Sequence, residues 1–505
     1  MLALPARKAS ALAGFIAALG YCLIAGFAVP AQRTAYMVGV VALALWAGRV
    51  SSVSRVLCLA LVVVLLLDPW AVLAPGFWLS FGAVAVILYV ATHRLGEGRR
   101  PGLGASLMQW GRIQWAITLA LAPLLLVWFQ QMSVVSPLAN AVAIPLVSLV
   151  VTPLALAGSV LPFDFILKLA HAVMAGQMWL LEWCAALPAS VWQQHAPAAW
   201  TVAVALAGCA WLLLPRGVPA RWLGLPLLLP MFALAPPAPA PGALWLTVLD
   251  VGQGLAVVAQ TERHALLYDA GPTYSPEADS GSRVILPFLR ASGIARLDAT
   301  VLTHDDDDHA GGAVSVLSGV AVGALYSSLP ETHAAWLAAP GYRLPCAAGQ
   351  SWTWDGVRFD LLHPSAESYA IDDRKSNDRS CVLKITSAHG TVLLTGDIEA
   401  RSERELLERA PGRLHADVLV VPHHSSRTSS TEAFIAAVQP RWALMPVGYR
   451  NRFGHPKEDV VERYRASGAQ LLRTDSAGAV LVRLEAEGIS VQPYRGLRRR
   501  YWYAD

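Results

Sequence analysis

The first 242 residues contain only four acidic side chains, against twelve Lys and Arg. So few charges on so apolar a chain exclude a disordered tail and a charged coiled coil. Cysteine is also scarce, with six in 505 residues and none at a zinc-like spacing. Cys22, Cys58, Cys184 and Cys209 lie in apolar runs and read as small core residues. Cys346 and Cys381 lie in the second half, where sequence leaves their pairing open, since it requires an oxidising compartment. A cleaved leader is not indicated, because the first apolar run is followed by others and reads as a membrane span.

Composition changes near Pro241. The residues after 242 hold 27 basic and 31 acidic side chains and ten of the 13 His. The first part, 1–236, reads as a polytopic α-helical membrane domain. Its apolar runs fall near 11–31, 35–48, 56–67, 71–92, 114–130, 134–162, 165–188, 198–214 and 221–236, which predicts about seven to nine spans. Arg7 with Lys8, Arg49 with Arg55, Arg94 with Arg99 and Arg100, and Arg216 with Arg221 compete as cytoplasmic markers and leave orientation open. Asp68, before Pro69, and Asn140, near Pro145, predict broken helices lining a polar channel. The alternative is a helix cap for Asp68 and an interhelical bond for Asn140. Residues 237–242 form a Pro-Ala linker.

Beyond the linker, 243–490 alternates strands and helices after a strand-rich start, which predicts two sheets sandwiched by helices. A basic aromatic tail, 491–505, follows. The strand Leu297–Leu302 runs into Thr303-His304-Asp305-Asp306-Asp307-Asp308-His309 and then Gly311-Gly312. Two imidazoles and four carboxylates so close together repel one another as a solvated turn, but at a strand end they can converge on a divalent cation. Other polar groups also gather at strand ends: Asp250 and Gly252, Asp269 and Gly271, Asn377 and Ser380, Gly396 and Asp397, His423 and His424, and Asn451 to His455. Each is weak alone.

Together, in this order, they resemble the metallo-β-lactamase superfamily, whose His-x-His-x-Asp-His signature stands here as His304-x-Asp306-x-Asp308-His309. With Leu249–Gly254, Asp269-x-Gly271, Asn377-x-x-Ser380, Gly396-Asp397 and His423-His424, the second half is similar to the C-terminal domain of the ComEC competence family. In the first half, Asp68-Pro69, Pro75-Gly76-Phe77-x-Leu79-Ser80-Phe81, and Asn140 with Pro145 resemble that family's membrane domain. The fold implied is a polytopic helical membrane domain followed by an α/β, metallo-β-lactamase-like αββα sandwich. Three departures stand out. The family's further N-terminal spans and OB-like domain are absent, so the chain looks shortened. Ser425 stands where a Gly follows the paired His. The third ligand His of many relatives is replaced by the Asn377–Ser380 element.

The resemblance implies two divalent metal ions, zinc or manganese. One is assigned to His304 and Asp306, the other to Asp308, His309 and His424, with Asp397 bridging. Asp269 orients a ligand His, and Asp250 and His423 support the site. Asp308 accepts the proton of the attacking water, and His455, Asn377 and Ser380 hold phosphate. The implied function is uptake of single-stranded transforming DNA across the bacterial inner membrane, with hydrolysis of the other strand on the periplasmic face. Implied partners are DNA, membrane lipid, a competence DNA receptor, a cytoplasmic helicase-like ATPase and a second copy of the chain. The net acidity of the second half opposes DNA binding, so Arg427, Arg441, Arg450, Arg452 and the tail from Arg495 to Tyr503 are the candidate phosphate tracks. The competing readings are a membrane-anchored metallo-hydrolase of another phosphoester and a transporter with an inert scaffold.

Overall fold

The structure is a computed structural model that describes residues 5–48, 52–92, 103–215, 217–371 and 374–500. Arg49, Arg94, Arg99, Arg100, Arg216 and the tail residues Tyr501, Trp502 and Tyr503 lie outside the described residues. The chain forms two units, 1–234 and 235–505.

The first unit is helical. Among the described residues, Ala6–Ile24, Met108–Phe129 and Ser136–Val160 are long and apolar enough to cross a membrane, fewer than the seven to nine expected. Val53–Leu67, Pro75–Val90, Ala199–Leu212 and Arg221–Ala233 are apolar but shorter. Backbone breakers divide the runs. Gly26 and Phe27 take left-handed φ values of 73° and 54° and separate Ala6–Ile24 from Val29–Trp46. Pro69 cannot donate to the helix ahead of it, and Val53–Leu67 ends there. Asp68 accepts the Trp70 N–H at 3.1 Å, so it caps the short turn Pro69–Leu73. Beyond Pro145 the helix does not break. It widens into a π turn at Val147–Val151 and continues to Val160. Apolar side chains stay largely uncovered, Ile24 at 78% and Val160 at 83%, as lipid-facing surfaces do.

The second unit has four layers. One sheet orders its eight strands as Tyr342–Pro345, Ala321–Ser327, Arg296–Leu302, Ala265–Tyr268, Val257–Gln260, Leu244–Val248, Val480–Glu485 and Gly488–Pro493. The other orders seven: Ser351–Trp354, Val357–His363, Val382–Ser387, Gly390–Leu394, Val418–Val420, Trp442–Met445 and Gln470–Arg473. Alternation decides which face each residue covers. Leu244, Leu246 and Val248 join Phe359, Leu383 and Val418 in the core between the sheets. Val258 and Leu267 point the other way, against Leu289, Val316 and Ala335 of flanking helices. Leu393 and Leu419 do the same on the second sheet, against Leu406, Phe434 and Val460. Cys346 and Cys381 are joined by a disulfide in the central core. Cys346 follows an edge strand of the first sheet and Cys381 opens a strand of the second, so the bond ties one sheet to the other. The strand Gly488–Pro493 and Arg495, which bonds the Asp475 carbonyl at 2.6 Å, carry the sandwich past the expected boundary at 490.

A buried brace holds the segment that approaches the strand ends. His363 Nδ1 donates to the Ser380 carbonyl at 2.9 Å, and its Nε2 lies 3.2 Å from Arg374 Nη2. Arg374 also reaches the Asp378 carbonyl at 2.8 Å and Glu405, on the helix Ala400–Arg409, at 2.8 Å. His363, then Arg374, draws the Glu405 carboxyl down from its ordinary 4.5 to about 2. Its folded value lies below its unfolded one, so this stabilisation is present above pH 4.5 and is lost as pH falls through about 2. Glu405→Gln is expected to cost about 1 kcal/mol at pH 7, a figure reduced for the partial exposure of the carboxylate. Thermal melts across a pH series should show the gap between the two proteins closing on acidification. A gap unchanged at low pH would mean that the charge contributes nothing.

Candidate metal centre

Five polar segments leave the C-terminal ends of neighbouring parallel strands, where α/β sheets open their clefts. Ala265–Tyr268 delivers Asp269, Arg296–Leu302 delivers Thr303 to His309, Gly390–Leu394 delivers Asp397, Val418–Val420 delivers His423 and His424, and Trp442–Met445 leads into 446–457.

Asp269 is fully buried with left-handed φ 57°. Its carboxylate accepts the Thr303 N–H at 2.8 Å, the Thr303 hydroxyl at 2.9 Å and His309 Nδ1 at 2.8 Å. His309 Nε2 is thereby left to face the centre. The other two buried imidazoles repeat this arrangement. His304 Nδ1 lies 2.9 Å from Thr303 Oγ1 and 3.3 Å from Ser380 Oγ, and His424 Nδ1 donates to the Pro446 carbonyl at 2.7 Å. Each second nitrogen is occupied, and this fixes ring orientation and tautomer.

The Nε2 atoms converge with carboxylates. His309 Nε2 is 3.1 Å from His424 Nε2 and 3.1 Å from Asp397 Oδ1. His424 Nε2 is 3.2 Å from Asp308 Oδ2 and 3.6 Å from Asp397 Oδ2. Two groups are compact enough to hold an ion, one of His304, His309 and Asp397 and the other of Asp308, His309 and His424. His309 therefore stands in both, where the sequence placed it with one metal. Asp306, its side chain half exposed, lies 3.5 Å from His304 Nε2 at the edge of the first group.

Burial opposes the charge on Asp397, but His309 and His424 overcome it and hold the carboxyl well below its usual range. For Asp308, burial again raises, while the His424 bond and the His309 charge lower it to about 2. His304 holds Asp306 down. Burial would lower His309 and His424, yet Asp397, with Asp269 and Asp308, raises both. His455 goes the other way, to about 4, through burial and its neighbours His424 and Lys457.

Local backbone explains the turn after Val421. His423, His424 and Ser425 have φ values of 50°, 49° and 63°. This is glycine's territory, and here it is imposed on three residues with side chains. It aims both imidazoles inward from one turn. His423 Nε2 lies 3.6 Å from Asp397 Oδ2 and 3.4 Å from Asn377 Nδ2, nearer the centre than a supporting role requires. Gly254, φ 147°, passes so close that a Cβ there would lie 2.5 Å from the Asp308 carbonyl oxygen, so the Asp250–Gly254 turn packs directly under the acidic loop.

Some expected residues sit elsewhere. Ser380 is buried, and its hydroxyl accepts the Asp397 N–H at 3.2 Å, so it braces the centre and does not face a phosphate. Asp250 bonds the Gly252 N–H at 3.4 Å and Arg495 at 3.2 Å, shaping its own turn and touching no residue of the centre. Asp68 caps the turn after it, and Asn140 is an exposed helix residue. Asn377, half buried, and His455 do border the centre through His423. A cleft of about 680 Å³ opens beside it, with Asp306, Asp307 and Asp308 along one wall and Asn451, Arg452 and Phe453 along the other.

Sequence reading missed three groups. Thr303 links Asp269 to His304, and only its place before the cluster could have pointed to it. The His363–Arg374–Glu405 brace is scattered along the chain and gives no local signal. In the first unit, buried Arg33 has Nε and Nη1 unpartnered, and its Nη2 lies 3.0 Å from where a Cβ on Gly76 would stand. That contact gives the Pro75-Gly76-Phe77 glycine a steric reason.

Family models match both units: "Competence protein" over residues 1–219 and "Metallo-beta-lactamase superfamily" over 249–448. The chain is 39% identical to "Competence protein ComA" of Neisseria gonorrhoeae over 99% of its own length and 68% of that protein's. It is 33% identical to "Uncharacterized protein YcaI" of Escherichia coli over 97% of its own length and 64% of that protein's. It is 29% identical to "ComE operon protein 3" of Bacillus subtilis over 92% and 62%. The chain thus spans about two thirds of the length of these relatives. The metallo-β-lactamase-fold protein YhfI of Bacillus subtilis aligns with 48% of this chain and 99% of its own, at 13% identity and TM-score 0.32. With helical and sandwich units in the expected order and the match to ComA running nearly end to end, the chain belongs to the competence protein family, with a metallo-β-lactamase-superfamily hydrolase domain as its second unit.

Proposed function

We propose that the second unit forms a dinuclear metal phosphodiesterase that cuts one strand of incoming DNA, while the membrane helices pass the other. The observation that carries the hydrolase is the convergence of three imidazoles, each with its Nδ1 engaged, on Asp397 and Asp308. His304 Nε2 is buried without a hydrogen-bond partner, and His309 and His424 bring two Nε2 atoms to 3.1 Å. Orphaned buried acceptors cost free energy that cations would recover. The donor set therefore fits divalent ions. His304, His309 and Asp397 would hold one, and Asp308, His309 and His424 the other, with Asp306 closing the first from its exposed side. Carboxylates in place of imidazole suit manganese as well as zinc.

Such ions would supply Lewis acidity and a nucleophile at neutral pH. The chain's own residues do the rest. Asp269 and Thr303 fix the rings of His309 and His304. Asp308, held at about 2, is a charge-holding group and a weak base, so the proton-accepting role expected of it is unfavoured. His455, at about 4, is neutral at pH 7 and offers a hydrogen bond rather than a charge beside His423. Asn377 Nδ2, beside His423, is a second donor for phosphoryl oxygens.

DNA as substrate is supported by the competence relatives and by Arg452 at the cleft. The bond between Cys346 and Cys381 favours the periplasmic face, where such bonds persist. The helicase-like ATPase, the DNA receptor and a second copy of the chain remain the partners proposed for transport.

Full-length protein in lipid nanodiscs, stripped with chelator and given manganese or zinc, is expected to cleave labelled DNA. Asp308→Ala should abolish cleavage. Cleavage that survives in Asp308→Ala, or no cleavage with metal bound, would sink the nuclease and favour another phosphoester. Asp269→Asn should weaken metal binding about 10- to 100-fold, read by calorimetry, because His309 loses its orienting acceptor. The disulfide gives an independent check. Cys346→Ser should lower stability by about 2–4 kcal/mol. In cells quenched with acid and then denatured, both thiols should resist maleimide until a reductant is added. Immediate labelling would instead place the domain in a reducing compartment.

A further inference from the structure

The segment 446–457, between the strand Trp442–Met445 and the helix Glu458–Ala466, keeps two aromatic rings in solvent: Tyr449 is 65% exposed and Phe453 46%. The Arg450 guanidinium lies 5.1 Å over the Tyr449 ring, and Arg452 lies 4.8 Å over Phe453. Phe453 stacks on His455 at 5.8 Å and 24°, and His455 meets His423 edge-on at 6.4 Å. A row of flat faces thus leads from solvent to the imidazoles of the centre.

The loop is stiff although its rings are uncovered. The Asn451 amide donates to the Gly448 and His455 carbonyls at 3.0 and 2.6 Å, and its oxygen accepts the His455 N–H at 2.9 Å. Lys457 Nζ donates to the Phe453 carbonyl at 2.7 Å, and Gln253 Oε1 accepts the Gly448 N–H at 3.1 Å. Exposed aromatic faces on a fixed backbone are pre-organised for a flat ligand, and each face lies beside a cation. An unpaired nucleic-acid strand offers both partners, bases for the rings and phosphates for the arginines. A duplex keeps its base faces inside its own stack and offers the phosphates alone.

We propose that the 446–457 loop is a rim that selects unpaired strand: Tyr449 and Phe453 stack on its bases, Arg450 and Arg452 hold its phosphates, and the strand is led past Asn451 into the cleft. What then happens to the strand rests on the phosphodiesterase reading, but the gripping does not require hydrolysis. The test is therefore a binding measurement. Full-length protein in zwitterionic nanodiscs with chelator, so that nothing is cut, is titrated against fluorescein-labelled oligothymidylate and a labelled blunt duplex by anisotropy. The expected result is tighter binding of oligothymidylate, weakened about tenfold by Tyr449→Ala and by Phe453→Ala, with duplex binding nearly unaffected. Phe453→Trp should retain the affinity. Phe453→Leu, which keeps bulk and loses the flat face, should behave as the alanine variant does and separates stacking from misfolding. Arg450→Ala and Arg452→Ala should weaken both forms and flatten the salt dependence. Equal loss on both forms in the aromatic variants, no loss at all, or full retention in Phe453→Leu overturns the proposal. Failure of metal-dependent cleavage in the separate nuclease assay would overturn the phosphodiesterase and leave strand binding standing.

Discussion

Asp269 is the group on which the centre depends. One buried carboxylate takes three hydrogen bonds, from a backbone N–H, a hydroxyl and an imidazole. Through them it joins the strand Ala265–Tyr268 to the end of the next parallel strand and sets His309 and, by way of Thr303, His304. A buried carboxylate is tolerated only when its oxygens are satisfied, and here the satisfying groups are the parts that must be aimed. The same bonds that make the charge affordable therefore specify the site. Rotating Asp269 would disorder two of the three imidazoles at once.

Much of this was legible because function and topology coincide at strand ends. The cluster from His304 to His309, Asp397 after Gly396, and the paired His423 and His424 each follow a strongly apolar run, so local pattern placed each at a strand end, and the resemblance carried by their order implied that they converge. The αββα order was legible from alternation in strands such as Leu244–Val248, whose inward residues are all aliphatic. The edge strands Tyr342–Pro345, Ser351–Trp354 and Gln470–Arg473 give little local signal, because their residues are exposed or only partly buried and a half-covered strand carries little hydrophobic period. Ser380 was misplaced for another reason. From sequence it stands beside Asn377 and shares its polarity, but the following strand starts at Val382, and the chain has already turned inward. The side chain one position before buried Cys381 is committed to the backbone of Asp397.

The membrane unit shows the limit of hydropathy. The run 11–31, which looks like a single span, is cut by Gly26 and Phe27, because a left-handed residue ends a helix whatever its apolarity. The polar residues there also divide by partner. Asp68, the conspicuous one, is satisfied locally by Trp70, whereas Arg33 is buried with no partner for Nε and Nη1. In lipid-solvated protein an unpaired buried charge is the more informative of the two, since a capped carboxylate has already found its reason.

The centre pairs charges of opposite sign. Asp397 and Asp308 are drawn down and His309 and His424 drawn up by one another. The Nε2 atoms that face these carboxylates are the ones a cation would need, so its binding would displace protons. Preorganisation and competition thus come from the same contacts. The Nδ1 bonds to Asp269, Thr303 and Pro446 persist in either state and keep the rings aimed, while only the Nε2 side changes partner. Because the scaffold bonds and the exchangeable bonds use opposite faces of each imidazole, an ion would bind there without rebuilding the strand ends that carry the rings.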